Sequence, residues 1–175
     1  FLNHSSGCWH WTIEGDIEAC FDRVNHAILL KLLKKHIQDK RLLNLIKSFL
    51  KAGVLEDGLY RRTDLGTPQG GPLSPLLMNV YLHEFDTWLV HHYIDPPHLR
   101  DKSEATRARW RKKNYGGRII PVRYADDWLI LWNGTKAEAE RIKLESAHFL
   151  QNQLALTLSE TKTRKCSGKS AGSCA

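Results

Sequence analysis

The sequence predicts an α+β fold in which an antiparallel sheet of the ferredoxin-like (split βαβ) kind packs on helices. Three observations carry this. Aromatic and β-branched runs at Trp9 to Ile17, Arg118 to Tyr124 and Trp128 to Trp132 read as strands. Segments with apolar residues at three- and four-residue spacing lie between them and read as helices. With an inserted hairpin and a middle helix set aside, the order is β, α, β, β, α, β. The 175 residues, 42% of them hydrophobic, suffice for about one domain of ~100–200 residues and exclude a disordered or low-complexity chain.

The first strand alternates Trp9, Trp11 and Ile13 with polar neighbours and ends near Gly15 and Asp16. Asn25 is placed to cap a helix carrying Ile28, Leu29, Leu32 and Leu33, and Asp39 restarts the pattern through Leu42, Leu45, Ile46, Phe49 and Leu50 until Gly53. Asp57-Gly58 is the turn signal of a small hairpin within residues 54–67. Ser74 and Pro75 open a long helix whose apolar face runs through Leu77, Tyr81, Phe85 and Leu89 to about His92. Residues 96–117 form a polar, basic insertion, with Trp110 and Tyr115 interleaved among the cations. Two strands then flank an acidic turn, Asn133-Gly134 ends the second, and Thr135 with Glu138 makes a capping box for another helix. A last strand is expected around Leu154 to Leu158. Residues 1–165 are expected to form one domain, and 166–175, poor in anything to bury, a flexible tail.

Apolar runs such as Ile28-Leu29-Leu30 are far shorter than the ~20 residues a membrane-spanning helix needs, so no membrane partner is expected. Lys and Arg number 26 against 19 Asp and Glu, and the net charge of +7 makes nucleic acid the leading partner class. Cys8, Cys20, Cys166 and Cys174 show neither zinc-site spacing nor a dense disulfide pattern, which suits a reducing compartment.

The split βαβ order sets the first strand beside the central hairpin, so Asp16 is expected to approach Asp126 and Asp127 at the hairpin tip. Carboxylates so placed disfavour one another's ionisation, and a cation relieves this. Hard magnesium takes carboxylate oxygens while keeping positions open for water and phosphate, and two such ions held ~3.5–4 Å apart suit nucleotidyl transfer. Alone, Asp126-Asp127 reads better as a solvated turn and Asp16 as a strand-end cap.

In combination, Gly15-Asp16-Ile17 with Phe21-Asp22, Gly66-Thr67-Pro68-Gln69-Gly70-Gly71-Pro72-Leu73-Ser74-Pro75, and Tyr124-Ala125-Asp126-Asp127 resemble the polymerase palm of reverse transcriptases, most of all the proteins encoded by bacterial group II introns. The resemblance runs from about Trp11 to Lys165. It implies that Asp16, Asp126 and Asp127 are catalytic and bind metal, together with the backbone carbonyl of Ile17. It further implies that Phe21 excludes a ribose 2′-hydroxyl, that Gln69 and Gly70 lie under the nucleotide and template base, and that Asn79 and Lys162 reach the nucleotide. The implied cofactors are two Mg2+ ions, with Mn2+ able to substitute; the implied partners are an RNA template, a DNA or RNA primer, dNTPs and group II intron RNA, in a bacterial cytoplasm. The cations Arg107, Arg109, Arg111, Lys112 and Lys113 of the insertion are candidates for nucleic-acid binding, a charged surface helix being the alternative.

The chain begins at Phe1 rather than Met and shows no segment resembling the fingers and thumb that family members carry, so it is expected to be the catalytic core of a longer polymerase or a truncated or partial gene product, not active alone. The competing function is a non-catalytic RNA-binding or maturase-like module that assists intron splicing. A replicative RNA polymerase is disfavoured by Phe21, and the sequence assigns no oligomeric state.

Overall fold

The computed structural model describes residues 9–51, 54–56, 59–61, 65–67, 71–159 and 165–167. The chain divides into two compact units. The first comprises residues 1–16, 86–147 and 158–175, the second residues 17–85 and 148–157.

The first unit is built on a four-stranded antiparallel sheet. Its strands are β1 (Trp11–Gly15), β4 (Ile119–Tyr124), β5 (Asp127–Trp132) and β6 (Lys165–Ser167), in the order β4-β5-β1-β6. First strand between third and last, with the second outermost, is the split βαβ order the sequence predicts. The ladder pairs Trp11 with Trp132 and Gly15 with Trp128, while β4 and β5 pair from Ile119 with Trp132 to Tyr124 with Asp127. Because strand side chains alternate, one face carries Ile13, Trp128, Ile130 and Trp132, all buried. Burying each of these large side chains contributes roughly 1.5–3 kcal/mol. The other face carries Thr12 and Glu14 from β1, Asp127 and Leu129 from β5, and Val122 and Tyr124 from β4. There Glu14, Val122 and Tyr124 are exposed, Tyr124 at 84%.

The end of helix α3 (Ser74–Leu89) runs on into a π-helical turn, Val90–Ile94. Burial and a hydrogen bond to Glu145 push the Tyr93 hydroxyl far above the ordinary tyrosine range. The basic insertion contains α4 (Glu104–Tyr115), whose N-cap Ser103 accepts from Thr106 N and whose C-cap Gly116 is left-handed at φ +75°. Helix α5 (Lys136–Leu154) opens with the expected capping box: Glu138 Oε2 accepts from Thr135 N at 2.8 Å, and Thr135 Oγ1 from Glu138 N at 3.3 Å.

The second unit holds α1 (His26–Leu33), α2 (Lys40–Lys51), the paired strands β2 (Val54–Glu56) and β3 (Leu59–Arg61), the first turns of α3 and the last of α5. Asn25 Oδ1 caps α1 by accepting from Ala27 N and Ile28 N, and Asp39 Oδ1 does the same for Arg41 N ahead of α2. The core includes Ile17, Cys20, Leu29, Leu50, Met78, Leu82 and Leu154. Tyr81 donates its hydroxyl to Leu154 O at 2.6 Å, and burial pushes its pKa up to about 12.

Two expectations need correction. The apolar alternation from Leu154 to Leu158 is not a strand: α5 continues to Leu154, and the chain reverses at Ala155, whose φ is +52°. The last strand is β6 instead, and it takes in Cys166 and Ser167, which were expected to begin the tail. Gly53, Asp57 and Gly58 lie outside the described residues, as do 168–175. Among the described residues no helix is long and apolar enough to cross a membrane.

Candidate active site

The open sheet face ends at a cleft of roughly 350 Å³ lined by Glu14, Gly15, Asp16, Val122, Tyr124, Asp127, Trp128 and Leu129. Asp16 follows the last residue of β1. Continuing the β1–β5 register by one step from the Gly15–Trp128 pair sets Asp16 opposite Asp127. The backbone there is held from the other side, since Asp16 O accepts from Ser159 N at 2.8 Å. Asp16 is half-buried and Asp127 exposed, so each can present oxygens to a ligand in the cleft.

The β4–β5 turn is as short as a hairpin allows, with Ala125 and Asp126 between the paired Tyr124 and Asp127. Two-residue hairpins favour left-handed backbone at their first position, and Ala125 adopts it at φ +54°. For a residue with a Cβ this costs roughly 1–2 kcal/mol. Arg123 Nη1 donates to Ala125 O at 2.7 Å, and the same guanidinium grips Asp86 of α3, Nε to Oδ1 at 2.9 Å and Nη2 to Oδ2 at 2.7 Å.

The expected convergence of three carboxylates is therefore met differently. Asp16 and Asp127 line one cleft; Asp126, in the turn itself, is half-buried and is not on its wall. Among the described residues no group of three or more His, Cys, Asp or Glu stands close enough to hold a metal. The Asp16 and Asp127 pair suits a single hard divalent ion, because magnesium is commonly held by one or two carboxylates and leaves its other positions to water and phosphate.

The second unit carries the other predicted residues. Phe21 is half-buried in a 3-10 turn, Cys20–Asp22, entered through a left-handed Ala19. Its carbonyl accepts from Thr67 N at 2.7 Å; Gly66 N donates to Val24 O at 2.8 Å, and His26 Nε2 lies 2.5 Å from Gly66 O. Gly66 is held at φ +85°, where a Cβ would meet Asp22 O at 2.9 Å, so the loop leading toward Gln69 and Gly70 needs glycine here. Ile17 is buried and Asn79 exposed on α3. Gln69, Gly70 and Lys162 lie outside the described residues.

On α4 the predicted cations part company. Arg107 pairs with Asp95 at 3.1 Å and Glu104 at 3.2 Å, while Arg111 bonds Ile94 O at 3.0 Å and Glu104 at 2.5 Å. Arg111's hydrogen bond holds the Glu104 carboxyl below its ordinary range. Trp110 packs on Tyr115 and His98 at ring distances of 5.4 and 5.8 Å, and Tyr115 on Tyr93 at 5.0 Å, all edge to face, so these rings are already engaged within the protein. Arg109, Lys112 and Lys113 point to solvent. The sequence reading missed Glu14 on the cleft wall and the Arg123–Asp86 pair. The signal for the latter is present: Arg123 shares the strand face of Ile119 and Pro121, and Asp86 interrupts the apolar face of α3 beside Phe85 and Leu89.

A split βαβ sheet with acidic residues at the end of its first strand and at its hairpin tip defines a polymerase palm. A family model described as reverse transcriptase (RNA-dependent DNA polymerase) matches residues 1–172, and the chain belongs to that family. It is 37% identical over 165 residues to the protein YkfC of Escherichia coli, covering 88% of this chain and 42% of that protein. It is 36% identical over 200 residues to the group II intron-encoded protein LtrA of Lactococcus lactis, covering 93% of this chain and 33% of LtrA. The chain thus spans less than half the length of these relatives. Among solved structures, telomerase from Candida tropicalis in complex with a fragment of telomeric RNA superposes with a TM-score of 0.63 at 16% identity, over 97% of this chain and 28% of that one. At that identity the likeness is one of fold.

Proposed function

We propose that the chain is the catalytic palm of an RNA-directed DNA polymerase of the group II intron type, which joins dNTPs to a primer 3′-hydroxyl on an RNA template. The observation that carries this reading is that Asp16 and Asp127, just past the last recorded pair of the β1–β5 ladder, both line one cleft on the open face of the sheet. Two Mg2+ ions, replaceable by Mn2+, would supply activation of the hydroxyl and stabilisation of the leaving oxygen. Asp16 and Asp127 would hold one of them, and Asp126 would serve the second. The chain's own groups do the remaining work. Phe21, whose carbonyl accepts from Thr67 N, would present the sugar with an apolar ring that offers no hydrogen-bond partner, which favours deoxynucleotides. Gln69, Gly70, Asn79 and Lys162 are proposed around the nucleotide. Arg109, Lys112 and Lys113 are free of the ion pairs that occupy Arg107 and Arg111, and we assign them contacts to RNA phosphates, including intron RNA.

The test is extension of a labelled DNA primer on an RNA template in Mg2+, comparing the parent with Asp16→Asn, Asp126→Ala and Asp127→Asn. We expect incorporation to fall roughly a hundredfold or more in the Asp16 and Asp127 variants, the scale of removing a charge-stabilising group at a reaction centre. Equal extension by parent and variants would reject the carboxylate assignment. RNA binding that survives all three changes, with no incorporation by the parent, would favour the maturase-like role instead.

A further inference from the structure

We infer that Arg123 is a positioning residue for the Asp126-Asp127 turn and that Asp86 fixes Arg123 in that role; this rests on the polymerase reading above and deepens it. The turn is intrinsically unsettled. Its first residue is a left-handed alanine, a conformation in which the Cβ crowds the carbonyl oxygen, and it carries adjacent like charges. Nothing within its two residues selects one orientation of the peptide groups that aim Asp126 and Asp127.

Arg123 supplies that selection. Its Nη1 donates to the carbonyl of the left-handed Ala125 at 2.7 Å. The guanidinium cannot drift, because Nε and Nη2 are occupied by both oxygens of Asp86, at 2.9 Å to Oδ1 and at 3.1 and 2.7 Å to Oδ2. A planar fork bound along one edge holds its remaining donor in a set direction, which a lysine's rotatable ammonium does not. The strand alternation places Arg123 with Ile119 and Pro121 rather than with Val122 and Tyr124, and its side chain is only 14% exposed. Arg123 is not among the residues lining the cleft, and the contact through which it bears on the site is the one to the turn's backbone at Ala125 O.

The experiment is a Mn2+ titration of the 175-residue chain, read by the electron paramagnetic resonance of free Mn2+, with a thermal melt of each sample. The variants are Arg123→Lys, Asp86→Asn and the exchanged pair Arg123→Asp with Asp86→Arg, with Asp127→Ala as reference. We expect both single variants to bind Mn2+ about tenfold more weakly, the loss typical of removing an outer-shell partner. The exchanged pair restores the opposition of charges and should regain melting temperature, but position 123 then has no donor for Ala125 O, so Mn2+ binding should stay weak. Parent-like Mn2+ affinity in the single variants, or its return in the exchanged pair, would overturn the inference and leave a merely structural ion pair. Should Asp86→Asn fail to fold, Arg123→Lys, which keeps the charge, decides alone. A parent that binds no Mn2+, or an Asp127→Ala chain that binds like the parent, would instead remove the carboxylate reading and the inference with it.

Discussion

At the scale of single residues, the site depends on what Gly15 lacks. A Cβ at this position would lie 2.1 Å from Cζ2 and 2.2 Å from Cε2 of Trp128, so the indole lies directly against the glycine backbone. Trp128 is 4% exposed, so making room for a Cβ means shifting a packed indole. Since Trp128 follows Asp127 and Gly15 precedes Asp16, the close contact sets the spacing of the two strand ends that carry the carboxylates. Gly15→Ala should therefore cost about 1–3 kcal/mol, the range for overfilling a packed core, measured by urea unfolding. A loss within about 0.5 kcal/mol, as for an ordinary surface change, would mean the indole relocates freely. The sequence shows a glycine beside an acid and cannot show the ring above it, because that ring comes from a cross-strand partner far along the chain. The carboxylates themselves are legible through their place at strand ends. Asp126 illustrates the limit: adjacent acids look equivalent in a sequence, whereas a strand's alternation and a two-residue turn give them different surroundings.

At the scale of elements, caps were the most legible features. Asn25, Asp39 and the Thr135–Glu138 box each satisfy otherwise orphaned amides of the helix that follows. The end of α5 was not legible, for a physical reason. Leu154 and Leu156 are both buried, which mimics the period of a strand, yet Leu154 closes the helix and Leu156 is buried beyond a left-handed reversal. Ala155 N bonds Gln151 O at 3.1 Å and Leu156 N bonds Leu150 O at 3.0 Å, the work of a C-terminal cap in which glycine is the usual residue. Alanine gives no sequence signal there. It also leaves a reserve of stability: Ala155→Gly removes the left-handed penalty, against a smaller loss from the freer unfolded chain. We expect a gain of up to about 1 kcal/mol, seen as a melting temperature higher by ~2–4 °C for a chain of this size. An unchanged or lower melting temperature would show that the penalty at Ala155 is already relieved by its surroundings. The true last strand was equally hidden, because Lys165-Cys166-Ser167 has no strand-like composition and forms by pairing with the edge of β1.

At the scale of the whole molecule, the net charge of +7 favours the attraction of polyanions, but it does not decide where charge neutralisation takes place. Composition treats the five cations from Arg107 to Lys113 as equivalent. The fold separates them: Arg107 and Arg111 are spent on Glu104, at helical spacing within α4, and on Asp95 and the Ile94 carbonyl, which precede the helix and which no helical spacing reveals, whereas Arg109, Lys112 and Lys113 are exposed. Other exposed cations, Lys31, Lys34, Lys40, Arg41 and Lys47, are spread over α1, α2 and the chain between them, so the long-range field would survive changes on α4. These facts predict two distinguishable behaviours. Each phosphate contact on single-stranded RNA contributes about 0.7 to the slope of log K against log salt, so replacing Arg109, Lys112 and Lys113 together by Ala should flatten that slope by roughly 2 between about 50 and 200 mM salt. Arg107→Ala and Arg111→Ala should leave the slope nearly unchanged and lower the melting temperature instead, because each removes half of a partly buried ion pair and leaves Asp95 or the Ile94 carbonyl without its donor. Anisotropy of a labelled single-stranded RNA, titrated at several salt concentrations, reads the slope directly. If the triple variant keeps the parent's slope, the phosphates are neutralised elsewhere on the chain, and α4 is a solvated surface helix whose cations serve only its own fold.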